Sequence, residues 1–120
     1  MTQNTTDVSS PLGTKIITND DVNATAKSNV TGGACSVYLI ELTNSSAQAV
    51  YFKIFDIGAP VVGTTSPAFK VPVAAGGSLS VAFPSGLALI TGLSYACTQE
   101  EADTGTTNPT SAVTLKMVTS

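Results

Sequence analysis

A chain of 120 residues with no His, no Trp and only 11% charged side chains has room for one domain and lacks the commonest reagents of enzyme catalysis. Without imidazole, the Ser-His-Asp and Cys-His nucleophile arrangements are ruled out, as are metal sites built on His. The net charge is −3, and the five cations, Lys15, Lys27, Lys53, Lys70 and Lys116, are too evenly spread to match a row of phosphates or an anionic membrane surface.

The expectation is therefore a protein that is not an enzyme, needs no cofactor, and meets neither nucleic acid nor membrane. Ordinary soluble domains carry roughly a quarter charged residues, so this surface must present mainly Ser, Thr, Asn, Gly and Ala. Short hydroxyl and methyl groups lose little hydration and little rotamer entropy when another subunit covers them. Such a surface favours contact over catalysis. The first ten residues hold no basic or apolar signal region, so synthesis and retention in a cytoplasm are expected, and the Asn-x-Ser/Thr triplets at Asn4, Asn23, Asn29 and Asn44 read as accidents of composition.

In chain order, residues 1–13 are polar, end in Pro11-Leu12-Gly13 and read as a flexible arm, leaving residues 14–120 as a single domain. Short β-rich runs follow at 15–18 and 22–30. Residues 35–42 are apolar on both faces, with Cys35, Val37 and Leu39 on one and Tyr38, Ile40 and Leu42 on the other, as in a central strand. Turn formers at 43–47 return the chain as a hairpin partner over 49–56, with Val50, Phe52 and Ile54 toward the core. A long Gly- and Pro-containing loop then leads to a second hairpin, 69–73 and 78–83, and Pro72 places the first of these strands at an edge. Residues 84–86 read as a turn, 87–90 and 93–98 as further strands, 99–110 as a polar loop, and 112–119 as the closing strand. No segment carries a sustained helical period. The expected fold is all-β, an antiparallel β-sandwich of about eight strands with jelly-roll as the candidate topology.

Few residues offer chemistry. No Ser-x-x-Lys spacing falls on a helix, so a Lys-activated nucleophile finds no support. Glu100, Glu101 and Asp103 form the densest acidic group and are weak candidates for Ca²⁺, against the simpler reading of solvated loop carboxylates. Cys35 and Cys97 are either two buried small apolar residues or, if they meet across the sandwich, a disulfide.

A set of motifs in order adds a resemblance. Tyr51-Phe-Lys-Ile-Phe-Asp56, Gly63-Thr-Thr-Ser-Pro67, the Pro72-Val-Ala-Ala-Gly-Gly77 turn and the late Gly86-Leu and Gly92-Leu segments resemble small structural proteins of tailed bacteriophages. The likeness covers about two-fifths of the chain. It implies a virion component, assembled in the host cytoplasm: a capsid decoration or cement protein that binds the major capsid protein and copies of itself as a homo-oligomer, with a trimer as the candidate arrangement. A tail, neck or fibre module touching a host receptor is the alternative reading, and a sugar-binding adhesin domain a third.

Overall fold

The computed structural model describes residues 3–7 and 15–120. Among them the chain is all-β, with strands β1 (Gln3–Asp7), β2 (Lys15–Asn19), β3 (Cys35–Asn44), β4 (Val50–Asp56), β5 (Phe69–Val73), β6 (Ser78–Leu89), β7 (Leu93–Thr98) and β8 (Val113–Thr119). They form two antiparallel sheets, a five-stranded one in the order β1-β2-β8-β3-β6 and a three-stranded one in the order β5-β4-β7. The expected sandwich is the observed one, and β5, with Pro72, is an edge strand.

The core lies between the sheets because strand alternation delivers it there. Val113, Leu115 and Met117 on β8 are buried while Thr114 and Lys116 between them are exposed. Ile17, Ile40, Leu42, Val50, Phe52, Ile54, Leu93 and Tyr95 complete a dry interior, in which the Phe52 and Tyr95 rings sit 5.8 Å apart. Asn19 donates a 3.0 Å hydrogen bond to the Tyr95 hydroxyl, satisfying the one polar atom that the ring carries into the core. Burial pushes that hydroxyl's pKa up to about 12.

Three local expectations are corrected. Neither expected hairpin forms: β3 and β4 lie in different sheets, as do β5 and β6, so both connections cross from one sheet to the other. The run 22–30 is not a regular strand: it touches β7 through one bridge, Lys27 to Tyr95, with further backbone bonds from Cys97 to Asn23 and from Val30 to Leu93. Asn19 and Asn23 each accept a backbone N–H two residues on, at 2.8 and 2.9 Å, and these local turns compete with the sheet ladder. The expected strands 78–83 and 87–90 are one strand, β6. Its partner register jumps from Val37↔Leu87 to Leu39↔Ala82, so the expected turn at 84–86 is a bulge opposite Tyr38. At its end Gly86 has φ +83°, and a Cβ there would stand 3.0 Å from the Ser36 Cβ. The same irregularity shifts the phase of β3: Val37 and Ile40 both face the core, and Leu39 moves to the outer side.

Part of the expected N-terminal arm lies in the sheet. Gln3–Asp7 pairs with β2 over five register positions, from Gln3↔Asn19 to Asp7↔Lys15, as an edge strand. The remainder of the expected arm lies outside the described residues. With the 22–30 segment counted as the second strand of the sandwich, the spatial order is first-eighth-third-sixth in one sheet and second-seventh-fourth-fifth in the other, which is jelly-roll connectivity. The sheet order alone decides this. β1 is an addition outside that frame.

Candidate interaction surface

The connectivity gathers three connections at one end of the sandwich: the residues before β3, those after β4, and the β6–β7 turn. Residues 28–34, 57–68 and 90–92 contain no charged side chain. They are clasped together by side chains that each satisfy several backbone groups. The Ser94 hydroxyl accepts the Asn29 N–H at 2.9 Å and donates to the Ile57 carbonyl at 2.6 Å. Asp56, the last residue of β4, accepts the N–H groups of Thr91 at 2.8 Å, Ile90 at 3.1 Å and Gly92 at 3.3 Å. These bonds, led by that from Thr91, hold its carboxyl below the usual carboxylate range.

This geometry presents apolar side chains on a braced turn. Ile90 is 82% exposed, and the other large hydrophobics exposed among the described residues, Val61 at 61% and Ile57 at 37%, lie in the adjoining loop. Scattered exposed apolar residues are ordinary, but three gathered on uncharged loops at one end describe a patch suited to protein contact.

The acidic group sits elsewhere, on the loop that covers the outer face of the three-stranded sheet, and its carboxylates do not converge. Glu100 accepts the Thr107 N–H at 3.0 Å and the Thr107 hydroxyl, which hold its carboxyl below the ordinary range. Asp103 pairs with Lys70 at 3.2 Å. Glu101 is exposed, and its carbonyl accepts from the Lys70 amine at 2.8 Å. Among the described residues no group of three His, Cys, Asp or Glu is placed to hold a metal ion, and Glu100 and Asp103 instead make contacts that fix the loop. Lys53, which composition gave no reason to single out, is the fastening under this loop. It is 1% exposed, and its amine donates to the Ala102 carbonyl at 2.9 Å. Burial, and then the neighbouring Lys70, pull its pKa below the usual lysine value.

The cysteines are free, buried thiols. Cys35 lies opposite Leu89 at the Asp56 end of the molecule, whereas Cys97 is four residues along β7 from Leu93, the partner of Asp56. That separation along the strand is about 13 Å, beyond the reach of an S–S bond. Burial raises both thiol pKa values, that of Cys97 to about 12. Native protein at pH 8 is therefore expected to take up no iodoacetamide at Cys97, and unfolded protein one adduct at each cysteine, as read by intact mass.

No family model, curated protein or solved structure matches this chain. The functional reading rests on its own surfaces. Beside the braced end, a second feature lies on the outer face of the five-stranded sheet: a hollow of about 440 Å³ bounded by side chains that include Glu41, Thr43, Ser78, Ser80, Thr114 and Lys116. The exposed apolar end left only a faint sequence signal, a charge-free stretch from Ile57 to Phe69. The hollow left none, because its rows come from strands far apart in the chain.

Proposed function

We propose that this chain is a structural subunit of a tailed-phage virion, a capsid decoration or cement protein that binds the head shell and packs against copies of itself. The observation that carries the reading is the uncharged end, where Ile90, Ile57 and Val61 are exposed on loops fixed by Asp56 and Ser94. A rigid apolar patch buries area on a partner without the entropy loss of ordering a loop at the moment of contact. Jelly-roll sandwiches serve in viral capsid and lectin domains, an analogy at the level of fold. The ordered motifs between Tyr51 and Gly92 support the phage context.

The mechanism is binding. The apolar end seats on the shell, the sparsely charged flanks lie against neighbours, and the added buried surface opposes expansion of the lattice. Exchange of Ile90 for aspartate is expected to leave the circular dichroism spectrum unchanged, because the side chain touches solvent, and to weaken shell occupancy about tenfold, the cost of placing a carboxylate in an apolar contact. Occupancy is read from electron micrographs of particles recoated with the variant. Density on the tail in place of the head lattice moves the protein to the alternative reading, and unchanged occupancy removes Ile90 from the contact.

A further inference from the structure

The outer face of the five-stranded sheet is ordered into rows by the strand register. One row crosses the sheet as Thr18, Lys116, Glu41 and Ser80, on β2, β8, β3 and β6 respectively. The row two residues toward the Asp56 end is Ile16, Val118, Leu39 and Ala82, and on the other side Thr114, Thr43 and Ser78 stand together. The hollow spans the middle row and the Thr114, Thr43 and Ser78 row, and the middle row carries one charge of each sign. Glu41 and Lys116 are directly opposite in register, both exposed, yet among the described residues neither has an ion-pair or hydrogen-bond partner.

We propose that this face is where two copies of the chain meet, related by a two-fold axis parallel to the strands and running between β3 and β8. That axis lays β3 over the partner's β8 and β6 over the partner's β2. Glu41 then faces the partner's Lys116, and the same contact is made a second time by symmetry. In the next row Leu39 faces the partner's Val118, and the small Ala82 faces the partner's Ile16, so a large side chain meets a small one. A two-fold axis across the strands instead sets Glu41 on the partner's Glu41 and Lys116 on the partner's Lys116. Like charges brought together cost several kcal/mol, so the register selects the first arrangement.

The size of the face sets the strength. Four strands about 4.8 Å apart and three rows about 7 Å apart cover roughly 400 Å², half of what a stable interface takes from each partner. The pair is therefore weak in dilute solution and fills at the local concentration of an assembled lattice. This deepens the self-association in the proposed function and is independent of the end that seats on the shell.

The test is sedimentation velocity of the full chain up to about 1 mM, with Glu41→Lys, Lys116→Glu and the double exchange. Wild type is expected to show a monomer–dimer equilibrium that weakens with added salt. Each single reversal is expected to weaken it about tenfold, and the double exchange to restore it, because the two charges simply trade places. All substituted positions are exposed, and Ser80→Tyr, which fills the hollow beside Glu41 without adding a charge, is a second variant expected to abolish pairing. A wild-type chain that stays monomeric overturns the proposal, as does a dimer indifferent to the single reversals or one that the double exchange does not restore. Amide shifts in these rows on addition of maltohexaose to a chain that stays monomeric likewise overturn it, in favour of a glycan site. Recoating with Ile90→Asp reads the shell contact and sedimentation reads this one, so the two proposals fail separately.

Discussion

Replacing Asn44 by alanine is expected to lower the unfolding free energy by about 4 kcal/mol, the largest loss among polar substitutions in this molecule. Asn44 ends β3 and is fully buried. Its amide nitrogen donates toward the carbonyls of Gln48 at 2.8 Å, Ala74 at 3.1 Å and Val73 at 3.2 Å, and its oxygen accepts from the Ser46 N–H at 2.9 Å and the Ser46 hydroxyl at 2.6 Å. One side chain thus ties the β3–β4 turn to the β5–β6 turn, each of which crosses from one sheet to the other. Alanine leaves those groups dry and unpaired, and each unsatisfied buried group costs about 1–3 kcal/mol before relaxation. Urea denaturation at constant m-value measures the loss. Aspartate at the same position supplies the acceptor but points a second oxygen at three carbonyls. Its pKa must then rise in the folded state, so Asn44→Asp should lose stability as pH rises above the unfolded value of about 3.9, through the raised folded one.

Removal of the Asp56 carboxylate is expected to cost about 2 kcal/mol, with a pH signature of its own. The side chain is half-buried, and water screening keeps the effect toward the lower end for a charged acceptor. Three consecutive N–H groups depend on it, two of them within 3.1 Å. Because these bonds depress the folded pKa, the stabilisation is fully present above the unfolded value near 3.9 and is lost as pH falls through the folded one. The stability difference between wild type and Asp56→Asn should therefore shrink from pH 6 toward pH 2, and a constant difference would show that the charge itself contributes nothing. Hydrogen exchange at Ile90, Thr91 and Gly92 should quicken in Asp56→Ala. If the apolar end binds as proposed, loosening that turn weakens shell occupancy even though Ile90 is intact.

The two effects differ in how readable they were. Asn44 appeared in sequence as one of several turn formers after an apolar run, and nothing local distinguishes it from Asn23 or Asn29. Its value comes from Val73 and Ala74, about thirty residues on, which only the packing of the two turns places beside it. Asp56 lay at the end of a legible strand, but its partners belong to a turn 34–36 residues later. The same holds for Lys53, whose alternation read simply as the outward face of β4. The loop that buries it was legible as polar, while its path across the sheet was not.

Composition and alternation by themselves determined that this chain is a charge-poor antiparallel β-sandwich, because period-2 patterning and turn residues act over a few neighbours. They also placed β5 at an edge through Pro72, and located most of the core. Tertiary structure alone decided the rest: the bulge that turns two expected strands into β6 and shifts the face of β3, the weakening of 22–30 to a bridge, the docking of Gln3–Asp7, and the separation of Cys35 from Cys97. Each depends on which strand lies beside which. The two proposed contact surfaces are of that second kind, since the rows on the outer sheet and the loops at the apolar end join residues that only the jelly-roll crossings bring together.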